Sequence, residues 1–168
     1  MKSAYFHLRE AFKQKAPAEW QALLINWRKS NAIVRTQKPF RLDRARALGY
    51  KAKNGFVITR VRLLRGGRQK PKIRAGRRSK RMSRRQVLKM TYQTVAEQRV
   101  QRKYPNLEVL NSYYLAKDGR NYYFEVILID PNAPEIKSDK KLNWVCSNKN
   151  KKRALRGLTS SAKKSRTW

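Results

Sequence analysis

The chain has 168 residues, with 43 Lys and Arg against 10 Asp and Glu, and a formal net charge of +33. A lone Cys146 excludes an intrachain disulfide, and a lone His7 excludes a zinc centre of the usual Cys/His kind. The longest apolar run, Val126 to Ile129, is far too short to span a bilayer, so a soluble cytoplasmic protein with no membrane partner is expected.

Self-repulsion at this charge opposes compaction, which points to work beside a dense polyanion. Phosphate backbones fit, because each neutralised phosphate releases condensed counterions. At 40% apolar residues the chain can still bury a modest core, so it is more than a disordered polycation.

Taken in chain order, Trp20, Leu23, Leu24 and Trp27 follow the spacing of a buried helical stripe. A short helix from about Leu42 to Leu48 ends at Gly49, a residue suited to the C′ position. Phe56 to Leu64 alternates as a strand, with Val57, Thr59, Val61 and Leu63 toward a core and Ile58, Arg60 and Arg62 toward RNA or solvent. Gly66-Gly67 breaks that strand and opens a basic loop. Ser83-Arg84-Arg85-Gln86 fits a capping box, followed by a helix with Leu88, Tyr92, Val95 and Ala96 on one face and a stop at Tyr104-Pro105.

Leu107 to Ala116 and Tyr122 to Ile129 predict a β-hairpin, with Gly119 supplying the positive φ of its loop. Both faces of the second strand are largely apolar, which predicts a central strand covered on each side. Asp130-Pro131 ends it. The fold class is therefore α/β or α+β: a small mixed core with a β-hairpin and several helices, plus long basic extensions. The expected divisions are a helical region over 1–55, a mixed core over 56–146 with a basic loop inserted at about 65–83, and a basic tail over 147–168.

Charge is distributed unevenly. Between Asp43 and Glu97 lie 18 basic residues and no acid; Asn106 to Lys141 carries six acids against five bases; Ser147 to Trp168 has eight bases and no acid. A merely soluble surface would mix the signs, so the pattern suggests nucleic-acid-facing segments around a nearly neutral body. The loop from Arg65 to Arg85 is its densest part. Arginine can fork two donors onto phosphate or stack on a base, while lysine acts more as a point charge.

Other chemistry finds little support. Gly55-Phe56-Val57 matches only the middle of an RNA-recognition-motif signature, and Gly66-Gly67 lacks the spacing and the Lys-Ser/Thr ending of a phosphate-binding loop. Nothing in sequence brings His7 to Cys146 as base and nucleophile. Glu97, in a basic helix, is expected to pair with Arg84, Arg85 or other neighbours. No cofactor, metal or small-molecule substrate is expected, and the chain does not read as an enzyme.

Longer motifs are more specific. Arg44-Ala-Arg-Ala-Leu-Gly-Tyr-Lys-Ala-Lys-Asn-Gly-Phe-Val-Ile58, Val109 to Tyr114, Glu125 to Pro131 and Arg156-Gly-Leu-Thr-Ser160 together resemble the signature of the archaeal and eukaryotic protein fifteen family of the large ribosomal subunit. They occur in the family's order. Arg77 to Met82 and Pro134 to Asp139 look more like its archaeal members.

The resemblance implies a structural constituent of the ribosome that binds large-subunit ribosomal RNA and touches neighbouring ribosomal proteins. It makes Arg44, Arg46, Lys51 and Lys53 expected RNA contacts. The same holds for Arg65, Arg68, Arg77, Arg78, Lys80, Arg81, Arg84 and Arg85 in and beside the loop, and for Arg156, Lys163, Lys164 and Arg166 in the tail. Relatives commonly continue beyond the Gly-Leu-Thr motif with another basic stretch, and contacts made by it are not expected of the residues present. A DNA-compacting chromatin protein would share the charge, and an RNA-modifying enzyme would need a pocket or general base absent from the motifs.

Overall fold

The computed structural model describes residues 2–69, 74–77 and 85–166. The described residues form a four-stranded antiparallel sheet of β1 (Ile33–Thr36), β2 (Phe56–Leu64), β5 (Glu108–Lys117) and β6 (Asn121–Ile129), in the order β1-β2-β6-β5. Around it lie α1 (Ala4–Lys13), α2 (Pro17–Lys29), α3 (Leu42–Ala47), α4 (Tyr92–Lys103), α5 (Pro134–Lys137) and α6 (Ser160–Arg166). β3 (Arg68–Gln69) and β4 (Arg85–Gln86) pair with each other at the base of the basic loop.

The hairpin and its inner strand stand where the alternation of apolar residues puts them. β6 is central, with Tyr123 and Ile127 buried on one face and Phe124, Val126 and Leu128 on the other. The turn is made differently from expectation. Gly119 does not take the left-handed backbone; the Asp118 carboxylate instead accepts from the Arg120 N–H at 2.8 Å and from the Asn121 N–H at 2.5 Å. A side-chain oxygen that mimics a backbone turn removes the need for a positive φ.

α4 covers one face of the sheet through Ala96 and Val100, which meet Val61, Leu63, Val109, Val126 and Leu128. Its start differs from the sequence expectation. Thr91, not Ser83, is the cap and accepts from the Thr94 N–H, while Arg85–Gln86 is extended and pairs with Arg68–Gln69. A capping box is a local signal, and here strand pairing at the loop base overrides it.

The other face of β2 is covered as well. Ile58 is buried beside Trp27, and the half-buried Arg60 lies over the Trp27 ring at 4.8 Å while donating to the Ser30 hydroxyl at 3.0 Å. Trp20, Phe12 and Phe40 join Trp27 and Tyr123 in an aromatic cluster with edge-on and tilted contacts of 5.2–5.9 Å. Rings favour such offset and perpendicular arrangements through their quadrupoles. The stripe Trp20, Leu24, Trp27 of α2 is thus core, as its spacing implies. α3 ends as expected, with Gly49 at φ 99° past its last turn.

Where the sequence suggests a basic extension, residues 147–166 fold back onto the sheet and α4. Ala154 and Ala162 are buried. Arg153 donates to the Val109 and Leu110 carbonyls at 2.8 and 2.7 Å, and the Lys152 N–H reaches Glu108 at 2.8 Å. These bonds occupy part of the outer edge of β5, which would otherwise be an open template for another strand.

Candidate nucleic-acid interface

The acids explain what the bases are free to do. Nine of the ten carboxylates accept a hydrogen bond from within the chain; Glu19 in the first turn of α2 has no such partner among the described residues. Glu97 is fully buried. It accepts from the Ser112 hydroxyl and, at 2.6 Å each, from Thr159 and Ser161. Among the described residues Glu97 takes three neutral donors and no ion pair, while Arg84 and the Arg85 side chain, the partners expected for it, lie outside them. On the opposite face, Glu125 accepts from the Tyr113 hydroxyl and from the Phe40 N–H at 3.1 Å. Burial pushes its carboxyl above the ordinary value, opposed by the Tyr113 and Phe40 bonds and by the charge of Arg60.

The candidate RNA contacts fall into four groups, the last of them Arg44 and Arg46 on α3. Lys51 and Lys53 come together from the loop after α3, and both bind Asp139, Lys53 at 2.9 Å. The two ammonium groups hold that carboxyl well below the usual carboxylate range. Half of the charge this pair presents is therefore neutralised within the protein.

A second group surrounds the base of the loop. Arg65 donates to the carbonyls of Asp118 at 3.0 Å and Gly119 at 3.4 Å and lies over Tyr122 at 5.0 Å. Tyr92 grips Gly66, accepting from its N–H at 2.7 Å and donating to its carbonyl at 2.9 Å. At Gly67 a side chain would collide with the Gln86 carbonyl oxygen, so only glycine lets the two strands approach. The scaffold thus fixes where the loop leaves the body. Arg68 and Arg77 are exposed, Arg85 is described by its backbone alone, and Arg78, Lys80, Arg81 and Arg84 lie outside the described residues.

The third group lies at the C-terminus. Arg156 donates to the Lys151 carbonyl at 3.0 Å and to that of Lys149, and Arg166 donates to the Gly157 carbonyl at 2.9 Å. Lys163 and Lys164 are exposed on α6. The base of the loop and the C-terminal helix adjoin, since the Ser165 hydroxyl accepts from the Thr91 N–H at 3.1 Å and lines one cleft with Gly66, Gly67 and Gln86, while Lys51 and Lys53 are held apart from them on Asp139.

Arg44 and Arg46 are exposed on α3, and Arg46 donates to the Tyr5 hydroxyl at 3.2 Å. Arg44 lines a cleft of about 720 Å³ together with Arg9, Arg41, Tyr5, Phe6 and Tyr114. Arg9, Tyr5 and Phe6 carry no motif that sequence reasoning selected. The aromatic and basic alternation of Tyr5, Phe6 and Arg9 on an amphipathic helix is the signal that could have found them. Among the described residues no group of three His, Cys, Asp or Glu could hold a metal, and no helix is long and apolar enough to cross a membrane.

The family model described as Ribosomal L15 matches residues 3–168. The chain is 47% identical over 171 residues to a protein of Picrophilus torridus named Large ribosomal subunit protein eL15, across 99% of this chain and 88% of that protein. It is 46% identical over 172 residues to the protein of the same name from Methanocella arvoryzae, across 99% of this chain and 87% of that one. Both relatives come from archaea. Motif order, fold and identity over nearly the whole length agree, and the chain belongs to the ribosomal L15 family.

Proposed function

We propose that this protein is a structural constituent of the large ribosomal subunit, where it binds and stabilises folded ribosomal RNA by neutralising phosphates. The observation that carries the reading is the internal engagement of nine of the ten carboxylates on a chain of net charge +33, which leaves the cationic excess to be balanced from outside. A rigid body with cations on several sides suits RNA helices that converge, since each helix meets a preformed charge and little ordering entropy is lost. The protein acts by position and charge, not by chemistry on a substrate. Its partners are large-subunit ribosomal RNA and neighbouring ribosomal proteins, in the cytoplasmic ribosome.

Sedimentation of the endogenous protein through a magnesium-containing gradient tests this. Co-migration with large subunits is expected. Migration apart from them, or co-purification with the nucleoid and equal affinity for duplex DNA, would refute the reading.

A further inference from the structure

The cleft between α1, α3 and the outer strand β5 differs in kind from the engaged cations around Asp139. Its volume of about 720 Å³ lies within the range of about 300–1,000 Å³ typical of small-ligand clefts. Four groups in its wall decide what it fits: Arg9, Arg44, Tyr5 and Tyr114. Neither the Arg9 nor the Arg44 guanidinium has a hydrogen-bond or ion-pair partner among the described residues. Asp43, the one acid in the wall, is already bound to Arg41 at 2.9 Å, so the cleft presents net positive charge.

The aromatic members are unusually open for their size. Tyr5 is 47% exposed and Tyr114 is 42% exposed. The ring contacts of Tyr114, with Phe124 at 5.9 Å and Tyr122 at 6.4 Å, are perpendicular and not stacked. Unpartnered guanidinium groups beside open aromatic rings are the combination that holds single-stranded nucleic acid, the cations on phosphate and the rings on bases.

We infer that this cleft holds one unstacked nucleotide of the bound RNA, its base against Tyr5 and Tyr114 and its phosphate on Arg9 and Arg44. The inference rests on the RNA-binding reading and adds a recognition mode that charge alone does not supply. A peptide strand added to the edge of β5 fits less well. Register shifts after Val109 and after Tyr114 interrupt the ladder, and the Gln93 side chain already occupies the Ser112 carbonyl at 2.9 Å. Bulged, capped edges disfavour strand addition.

The test uses the full chain with a fluorescent single-stranded RNA of about eight nucleotides, within the span of one binding module, and an RNA duplex of equal length. Tyr5→Leu and Tyr114→Leu are each expected to weaken the single strand about five-fold or more while leaving the duplex unchanged. Arg9→Gln with Arg44→Gln is expected to weaken the single strand and to reduce its salt slope by about one per charge removed. Should a variant melt early, 4-thiouridine crosslinking of the wild-type chain replaces it, with crosslinks expected on the peptides carrying Tyr5 or Tyr114. Crosslinks elsewhere, or single-strand affinity that survives all four changes, overturn the cleft while duplex binding keeps the RNA reading intact. A wild-type chain that binds neither RNA defeats both. An acidic peptide whose binding, unlike that of RNA, is lost in the tyrosine variants assigns the cleft to a protein partner and overturns the inference.

Discussion

Besides Glu108 at the start of β5, the two faces of the sheet bury Glu97 and Glu125, and they use these carboxylates differently. On the α4 face Glu97 collects hydroxyls from β5 and from the C-terminal segment, which lies 62 and 64 positions away at Thr159 and Ser161. On the opposite face Glu125 takes one tyrosine hydroxyl and the Phe40 N–H ahead of α3, with the Arg60 charge nearby. A basic chain that tied its ends down with ion pairs would neutralise the cations it presents. Neutral donors on a buried carboxylate hold the C-terminal segment without that loss, because hydrogen bonds to a charged group are strong in low dielectric. The Lys51–Asp139–Lys53 cluster shows the alternative, in which fixing a loop takes up its own cations.

The largest effect is expected at Glu97. Replacing it with alanine removes the shared acceptor of three buried hydroxyls, of which Ser112 keeps Gln93 and Ser161 keeps Thr94, and is expected to cost about 3 kcal/mol. Urea unfolding measures the loss, and limited trypsin digestion should then cut at Lys163 and Lys164. The same change at Glu125 is expected to cost less, about 2 kcal/mol, because two donors are stranded and burial already disfavours the ionised form. If the Glu125 variant were the less stable of the two, the distinction between the faces would be wrong.

Acidity is expected to act on Glu125. The raised Glu125 carboxyl binds a proton more readily in the native state than in the unfolded chain. Its contribution to stability is therefore fully present below the ordinary carboxyl value and is lost as pH rises through the raised folded value. Glu125→Gln should remove that component, so the variant's urea midpoint should vary less with pH than the wild type's and the difference between the two should change across this window. A difference that is constant with pH would contradict the assignment.

A smaller effect is expected at the surface. Asp139→Asn releases the ammonium groups of Lys51 and Lys53, so the salt slope of RNA binding should steepen by about one. An unchanged slope would mean that the two lysines already reach phosphate in the wild type.

Much of the scaffold was legible because its signals are local. Alternation in Phe56 to Leu64 and Tyr122 to Ile129 announces two neighbouring strands, and the Trp20 to Trp27 spacing announces the helix that covers them. β1 was not legible, since Ile33–Thr36 is only four residues and becomes a strand by pairing with β2. The true start of α4 was hidden because both Ser83 and Thr91 can cap a helix, and only the distant pairing of Arg68–Gln69 with Arg85–Gln86 decides between them. The C-terminal segment read as a charged tail because its anchors, Thr159 and Ser161, are ordinary polar residues until Glu97 is placed beside them. For the candidate interface, composition marked the basic segments but could not separate engaged cations such as Lys53 and Arg65 from Arg9 and Arg44, whose guanidinium groups have no partner among the described residues.

On the proposed reading, a preformed body meets ribosomal RNA mainly through phosphate neutralisation. The most direct test of that reading is the dependence of the affinity for large-subunit ribosomal RNA on salt. If roughly ten phosphates are neutralised, the logarithm of the binding constant should fall with the logarithm of salt concentration at a slope near −9. Replacing the exposed Arg68 and Arg77 with serine should make that slope shallower while the hairpin core stays folded. A wild-type slope near zero would contradict the account.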